Sequence, residues 1–327
     1  MTGGFKYGER GAALLSALLL VTLVAAIGVA VVDDIRFAIH RTANARERDQ
    51  ALRYAAGAEA LARQIIWRSW KAQPNRSTLT DPWARDGVSF AIDGGSISGG
   101  IRDAGNCLNL NALGGPPGTE EADLASRQFQ TLAETMGLQG DGAEALAAAI
   151  ADWIDADAAP RPRGAEDGHY MRLDPPYRAG NTLMADVSEL RAVRGMSADI
   201  YLRLRPLLCA RPTTSIGRIN INTLASTQAP LLVMLFGEGL SLAAAVRIIE
   251  TRPLSGYARV EDFLATRELS SLQIADAVRA QLGVSTRHFA VETRVTYASA
   301  DVGSSVLLDL DDSGRLSVAA RRIGDGE

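Results

Sequence analysis

The chain has 327 residues, room for two domains at about 150 residues each or for one domain with appendages. Hydrophobic residues make up 47% and charged residues 22%, a globular composition that excludes a wholly disordered chain and a polytopic membrane protein. Thirty-four basic residues against thirty-eight acidic ones leave no basic field for nucleic acid, two cysteines exclude a disulfide-dense scaffold or a cysteine zinc cluster, and three scattered histidines (His40, His169, His288) offer little to metal or triad chemistry.

The first element is a run without charge from Ala12 to Val32, broken only by the hydroxyls of Ser16 and Thr22. At ~1.5 Å per residue it spans about 30 Å, the thickness of a bilayer core. Lys6 and Arg10 precede it and Asp33 and Asp34 follow it, so the positive-inside rule places the N-terminus in the cytoplasm and the rest across the membrane. The run is about twice a signal-peptide core and continues without proline to Lys71, with apolar residues at helical spacing (Leu52, Ala55, Ala56, Leu61, Ala62, Ile65, Ile66) and Glu59 as the exception. One helix from about Ala12 to about Trp70 is expected, roughly 90 Å long.

The leader residues Gly8-Glu9-Arg10-Gly11 before this helix resemble a type IV prepilin-like signal. That resemblance implies cleavage between Gly11 and Ala12 and retention of the helix as an assembly element. It also marks a departure: most such proteins carry a glutamate where this chain has Ser16, which implies a special position such as the first subunit of a filament.

Pro74 is expected to end the helix. Two short strands within Val88 to Asp103 are expected to meet at Asp93-Gly94-Gly95. Helical patterning then runs from Glu120 to about Leu282. It includes Ala143 to Trp153 with Asp141 as N-cap, Met184 to Val193, Ala198 to Leu208, Thr223 to Phe236, Ser241 to Thr251 and Val260 to Leu264. Alternation returns from His288 to Ser299, and Ser304 to Leu310 and Arg315 to Ile323 flank a turn at Asp311-Asp312-Ser313-Gly314. The end, Gly324 to Glu327, reads as frayed.

Several stretches together resemble the minor pseudopilin K family of the type II secretion system. They are Ile101-Arg102-Asp103, Cys107-Leu108-Asn109-Leu110-Asn111-Ala112-Leu113, Asp152 to Asp157, Gly164 to Asp167, Tyr177 to Arg191 and Ile219-Asn220-Ile221-Asn222-Thr223. With the strands on either side of the helical block, the resemblance implies an α+β fold, a transmembrane helix leading into a pilin-like αβ scaffold with a large helical domain inserted. The boundaries are a leader at 1–11, a membrane helix at 12–32, its continuation at 33–73, scaffold at 74–118, the helical domain at 119–284 and scaffold strands at 285–327. The resemblance further implies a non-enzymatic subunit of the bacterial inner membrane with its C-terminal domain in the periplasm. It would assemble with I-, J- and H-type minor pseudopilins at the tip of a pseudopilus and cap it. Other contacts so implied are the prepilin peptidase, secreted substrates and the outer-membrane secretin.

Between Asp155 and Glu189 seven acids face four arginines in a proline-rich stretch. Asp155, Asp157 and Glu166 fall at positions one, three and twelve of a calcium-loop count, but Ala159 and Pro160 break the EF-hand pattern. The residues alone leave open a cation site or a loop tied by Arg–carboxylate pairs. The resemblance implies Ca²⁺, with Asp155, Asp157, Glu166, Asp167, Asn181 and Asp186 as candidate ligands. Asp309 to Gly314 has similar spacing but Ala320 at the twelfth position, and reads as a hairpin turn. Cys107 and Cys209, placed outside the cytoplasm, are expected to pair, with two buried thiols as the alternative.

Residues 219–265 carry a helix-hairpin-helix pattern, so a membrane-tethered DNA-binding module is the alternative function. The hairpin Phe236-Gly237-Glu238-Gly239-Leu240 has an acid at its turn, and Gly237 to Gly283 holds five arginines against six acids, which argues for protein contact and no nucleic acid. No nucleophile, metalloprotease or phosphate-loop motif is present in the sequence, and His169 reads as a solvated loop residue.

Overall fold

A computed structural model describes residues 8–85 and 87–324; residues 1–7 of the expected leader, Asp86 and residues 325–327 of the expected frayed end lie outside the described residues. Helix α1 runs from Gly8 to Ala72, ending two residues before Pro74. Its residues 12–42 are exposed throughout, while from Ala51 onward one side is buried at Ala51, Ala55, Glu59, Ala62 and Ile66. Three alanines in that row let the helix lie close to a sheet. A short turn at Pro82–Ala84 follows, then β1 (Val88–Ile92) and β2 (Gly95–Asp103), joined at Asp93-Gly94 as expected.

The helical region comes next. It contains β3 (Leu108–Asn109), α2 (Glu120–Thr135), α3 (Gly140–Ile154), the one-turn α4 (Asp167–Tyr170), α5 (Ala198–Leu204) and β4 (Leu208–Cys209). It continues with β5 (Ile219–Asn220), α6 (Ala229–Phe236), α7 (Leu242–Glu250), α8 (Val260–Leu264), α9 (Asp276–Arg279) and β6 (Leu282–Gly283). The chain closes with β7 (His288–Tyr297), β8 (Ala300–Leu310) and β9 (Leu316–Ile323). The fold is α+β.

The main sheet has the antiparallel order β1-β2-β7-β8-β9, so strands from before and after the helical region meet at β2 and β7. α1 packs on β7 and β8 through Phe289, Val291, Val295, Val302, Val306 and Leu308. Two ties fix it there. Glu47 accepts from the backbone and hydroxyl of Ser299 at the β7–β8 turn (3.1 and 2.5 Å), and Glu59 accepts from Arg321 on β9 (2.7 Å). Gly314, at φ 82° in the β8–β9 turn, lies under Trp70; a Cβ there would sit 2.1 Å from the indole, so the turn admits only glycine.

The helical region follows one plan twice. Leu108-Asn109-Leu110-Asn111-Ala112-Leu113 opens the first unit and Ile219-Asn220-Ile221-Asn222-Thr223-Leu224 the second. Each opens a two-residue parallel ladder, β3 with β4 and β5 with β6, closed more than sixty residues later. Between them lies a helix pair, α2–α3 and α6–α7. The asparagines explain the pattern: Asn111 bonds Met184 and Arg211 backbones, and Asn222 donates to the Tyr257 carbonyl and accepts from its N–H. Buried amides satisfied this way clamp loops distant in sequence.

Several expected elements are corrected. The block is not all helix, because the two ladders lie inside it. The N-cap of α3 is Gln139, not Asp141, and makes no side-chain cap bond. Met184 to Val193 forms only a 3₁₀ turn at Val187–Ala192, because Asp186 caps it in a capping box with Glu189. The helix expected from Thr223 starts at Ala229, since Asn222 and Thr223 spend their polar groups on tertiary bonds.

Candidate functional site

The first site is the stem. α1 is the one described helix long and apolar enough to cross a membrane, and its apolar window is wholly unburied. Leu14, Leu18, Val21, Val24 and Ile27 all stand more than half exposed, an arrangement stable in lipid or against neighbouring helices but not in water. Gly11 and Ala12 lie within the helix, and the Ser16 hydroxyl donates to the Ala12 carbonyl at 2.9 Å, so it is satisfied within its own helix.

The second site is the acidic loop after α3. One carboxylate oxygen each from Asp155, Asp157 and Glu166 lie within 4.8 Å of one another. The fully buried Asp152, outside the expected ligand set, organises the loop: it accepts from the Arg161 backbone at 3.1 and 3.2 Å and from the Arg161 guanidinium at 2.9 Å. Arg161 also pairs with Asp155 Oδ2. The loop passes so close to Asp152 that a Cβ on Gly164 would sit 1.9 Å from its carboxylate. Glu166 stands at the N-cap position of α4 yet its side chain makes no cap bond.

Electrostatics mark the same place. Burial first, then the carboxylates of Asp152, Asp155 and Asp157, push the Glu166 carboxyl up to about 7. Burial also raises Asp155, against the pull of Arg161. Four buried oxygens here have no hydrogen-bond partner: Asp155 Oδ1, both Glu166 oxygens and Asn181 Oδ1. Asn181 is held beside the end of α3 by its N–H on the Trp153 carbonyl (2.9 Å), with its backbone at φ 44°. Oxygen donors left unpaired in a group of three carboxylates suit a hard divalent cation and not zinc.

The other two expected ligands, Asp167 and Asp186, have partners outside the three-carboxylate group. Asp167 accepts from the Ala179 N–H at 3.0 Å and faces Arg178 at 3.7 Å. Asp186 caps its 3₁₀ turn and pairs with Arg322 of β9, joining the loop region to the sheet.

Cys107 and Cys209 form a disulfide with Cα atoms 5.7 Å apart, at the β3–β4 ladder. The nearly buried Arg211 lies against Cys107 Sγ at 3.7 Å and donates to the Ala104 and Gly105 carbonyls. Sequence reasoning did not single out Arg211, and it named Asp103, at the junction of sheet and helical region, only within the Ile101-Arg102-Asp103 stretch and without a role. Asp103 accepts from the Thr223 and Thr286 hydroxyls (2.6 and 2.5 Å) and the Gly105 N–H; burial raises its carboxyl despite these bonds. Its role is not legible locally, because Thr223 and Thr286 come from two distant segments.

The helix pair α6–α7 turns at Gly237 (φ 58°) and buries Leu231, Leu235, Leu240, Ala245 and Ile248. At Asp311 the turn is a hairpin: the carboxylate accepts from the backbones of Ser313 and Arg315, both at 2.9 Å.

The comparisons agree with this architecture. A family model described as "Type II secretion system (T2SS), protein K" matches residues 106–213, and a second of the same description matches 219–285, the two repeated units of the helical region. Type II secretion system protein K of Pectobacterium carotovorum subsp. carotovorum is 36% identical over 320 residues, covering 97% of both chains. The Klebsiella pneumoniae protein of that name is 35% identical, covering 98% of both. The crystal structure of the GspK–GspI–GspJ complex from the type 2 secretion system of enterotoxigenic Escherichia coli matches with a TM-score of 0.77 and 33% identity, covering 88% of this chain and all of that one. The chain belongs to the type II secretion system protein K family, a family of pseudopilins.

Proposed function

We propose that the chain is the minor pseudopilin that starts and caps the tip of a periplasmic pseudopilus. The observation that carries this reading is the division of the molecule: an unburied apolar stem at one end of α1, and a large helical region inserted between the strands of a small sheet. The stem packs among equivalent helices of neighbouring subunits, first in the inner membrane and then in the filament. The helical region stands over the scaffold and obstructs addition of a further subunit. The N-terminus is cytoplasmic, prepilin peptidase cuts between Gly11 and Ala12, and Ser16 fits a subunit that does not recruit downward through a carboxylate. The partners are other minor pseudopilins, of the I and J type found with the structural relative, and of the H type. From the tip the subunit meets secreted substrates and the secretin.

Asp155, Asp157, Glu166 and Asn181 hold Ca²⁺ in this reading. The ion supplies positive charge that gathers the carboxylates and makes the acidic loop rigid. Its role is structural, not catalytic.

Mass spectrometry of the chain from membranes, with and without prepilin peptidase, tests the first part. A mature N-terminus at Ala12, dependent on the peptidase, is expected; retention of residues 1–11 or a cut beyond Val32 overturns it. Titration calorimetry of the detergent-solubilised full chain tests the second. Ca²⁺ binding that is lost in Asp155→Ala is expected, and absence of binding by the unaltered chain removes calcium from the reading.

A further inference from the structure

The two sulfurs of the disulfide have unequal surroundings. Cys107 is 8% exposed, whereas Cys209, the last residue of β4, is partly open to solvent. Arg211 is itself only 9% exposed, and its Nη2 lies 3.7 Å from Cys107 Sγ. The same nitrogen donates to the Ala104 and Gly105 carbonyls, both at 3.2 Å. Among the described residues no carboxylate bonds this guanidinium. Asp309 and Asp103 act on it from further off, Asp309 being held by His288 at 2.6 Å and Asp103 by its two threonine hydroxyls. A buried cation without a counter-ion is costly. Of the atoms Arg211 touches, Cys107 Sγ is the one that can become an anion.

The backbone around the pair is fixed without the disulfide. Asn109 accepts from the Arg211 N–H at 3.0 Å and donates to the Thr213 and Ser215 carbonyls at 2.8 and 3.0 Å. Asn111 donates to the Arg211 carbonyl at 2.6 Å, and the ladder sets Cys209 opposite Asn109. These bonds hold Cys209 beside Cys107 whether or not the sulfurs are joined.

We infer that this disulfide is a thiol–disulfide exchange site with a fixed order of attack: an external thiolate attacks Cys209, and Cys107 is the leaving thiolate, received by Arg211. The partner is of the dithiol–disulfide oxidoreductase class. In the reducing direction one thiolate of the partner bonds to Cys209 Sγ, and the bond to Cys107 breaks with its electron pair passing to Cys107 Sγ. The partner's second thiolate then attacks its own sulfur in the mixed disulfide, and Cys209 leaves. The partner's two protons go to water; Cys209 takes one back, and Cys107 stays ionised beside Arg211. The partner loses two electrons and the cystine gains them. Reversed, the same steps close the bond: Cys209 attacks the partner's disulfide, and the Cys107 thiolate resolves the mixed disulfide. The inference goes beyond the pseudopilin reading and does not rest on it.

The test uses the full chain in detergent, with reduced glutathione as the probe thiol. The reaction is stopped with N-ethylmaleimide and the peptides are read by mass spectrometry. Glutathione is expected on Cys209 and maleimide on Cys107; glutathione on Cys107 overturns the inference. The rate of reduction at pH 7.5 is then compared with that of Arg211→Gln and Arg211→Lys. Arg211→Gln is expected to slow it about fivefold, because the leaving thiol loses its cation, and Arg211→Lys to restore most of the rate. If Arg211 only packs the ladder, Arg211→Gln loosens the site and reduction speeds up, which overturns the inference. The cysteine variants give a reading independent of Arg211. With oxidised glutathione, Cys107→Ser is expected to keep a stable adduct on Cys209, and Cys209→Ser to show about tenfold less on Cys107. Equal adducts overturn the order of attack. Reduction of the unaltered chain only in unfolding urea shows a pair sealed in the native state and overturns the inference as well.

Discussion

Forty-four hydrophobic residues are buried in the cluster that runs through the helical region, against eight and four in the two clusters between α1 and the sheet. The helical region holds a core of its own, built from helices, buried asparagines and a disulfide. The sheet region has a thin strip of contact under one helix, and it leaves most of β1 and of β9 to solvent. A subunit that finishes its burial against neighbours has this profile. In the pseudopilin reading proposed above, the exposed stem is a surface that assembly would cover, while the helical region already has a core of its own.

The largest expected effect breaks the complete half. Phe129 on α2 is fully buried, and Phe129→Ala removes its contacts and leaves a cavity, at a cost of about 3–5 kcal/mol. Amide exchange is expected to accelerate in α2, α3 and α6 while β7 and β8 keep their protection. Equal acceleration in both halves would mean that the two cores unfold as one unit. The disulfide is next. Its 102-residue separation ties both ends of the first repeated unit, and Cys107→Ala with Cys209→Ala is expected to cost about 2–5 kcal/mol by urea titration, again mainly in the helical half.

Calcium sharpens the comparison with pH. Without the ion, native Glu166 keeps its proton up to about 7, whereas the unfolded chain releases it near the ordinary value of 4.5. The native state then binds more protons between those values, so stability falls as pH rises through that window and levels off above it. In the calcium reading proposed above, Ca²⁺ favours the charged carboxylates and opposes this fall. At a hundredfold excess over its dissociation constant it is expected to add about 2.7 kcal/mol, or about 5–10 °C in the unfolding midpoint of the helical half. The gain should be larger at pH 7.5 than at pH 5, and absent in Glu166→Ala. A gain independent of pH would place the ion elsewhere.

Much of this was legible in the chain because it is local. The uninterrupted apolar run and the lack of proline before Pro74 announce α1, and alternation with Gly-containing turns announces the hairpins β1–β2 and β8–β9. Asp155, Asp157 and Glu166 were found by spacing within twelve residues. What was not legible depends on partners far away. The ladders β3–β4 and β5–β6 are two residues long, too short for any periodicity, and their strands are about a hundred and about sixty residues apart. The partners of Asp167 and Asp186, a backbone amide and an arginine on β9, could not be read from the loop's own sequence. Asp152 looks like part of a helix end, and only the returning Arg161 reveals that it shapes the loop.

Glu59 shows the same lesson at the smallest expected effect. By spacing it interrupts the apolar face of α1; in the structure it sits within that face, buried between Ala55 and Ala62. Arg63 donates to it at 2.7 and 3.1 Å, and Arg321, 262 residues away, at 2.7 and 2.9 Å. The Arg321 side chain stays 49% exposed, so its charge remains largely hydrated and the pair is worth far less than a dry one. A double-mutant cycle of Glu59→Gln and Arg321→Ala is expected to give a coupling of about 1 kcal/mol. Both Glu59→Leu and Glu59→Ala take the carboxylate from Arg63 and Arg321, but Glu59→Leu keeps the volume and adds apolar contact, so it should cost less than Glu59→Ala, which also leaves a gap. If Glu59→Leu proves the costlier of the two, the ion pair is what seats α1 on β9, and the thin core of the sheet half depends on charge more than on packing.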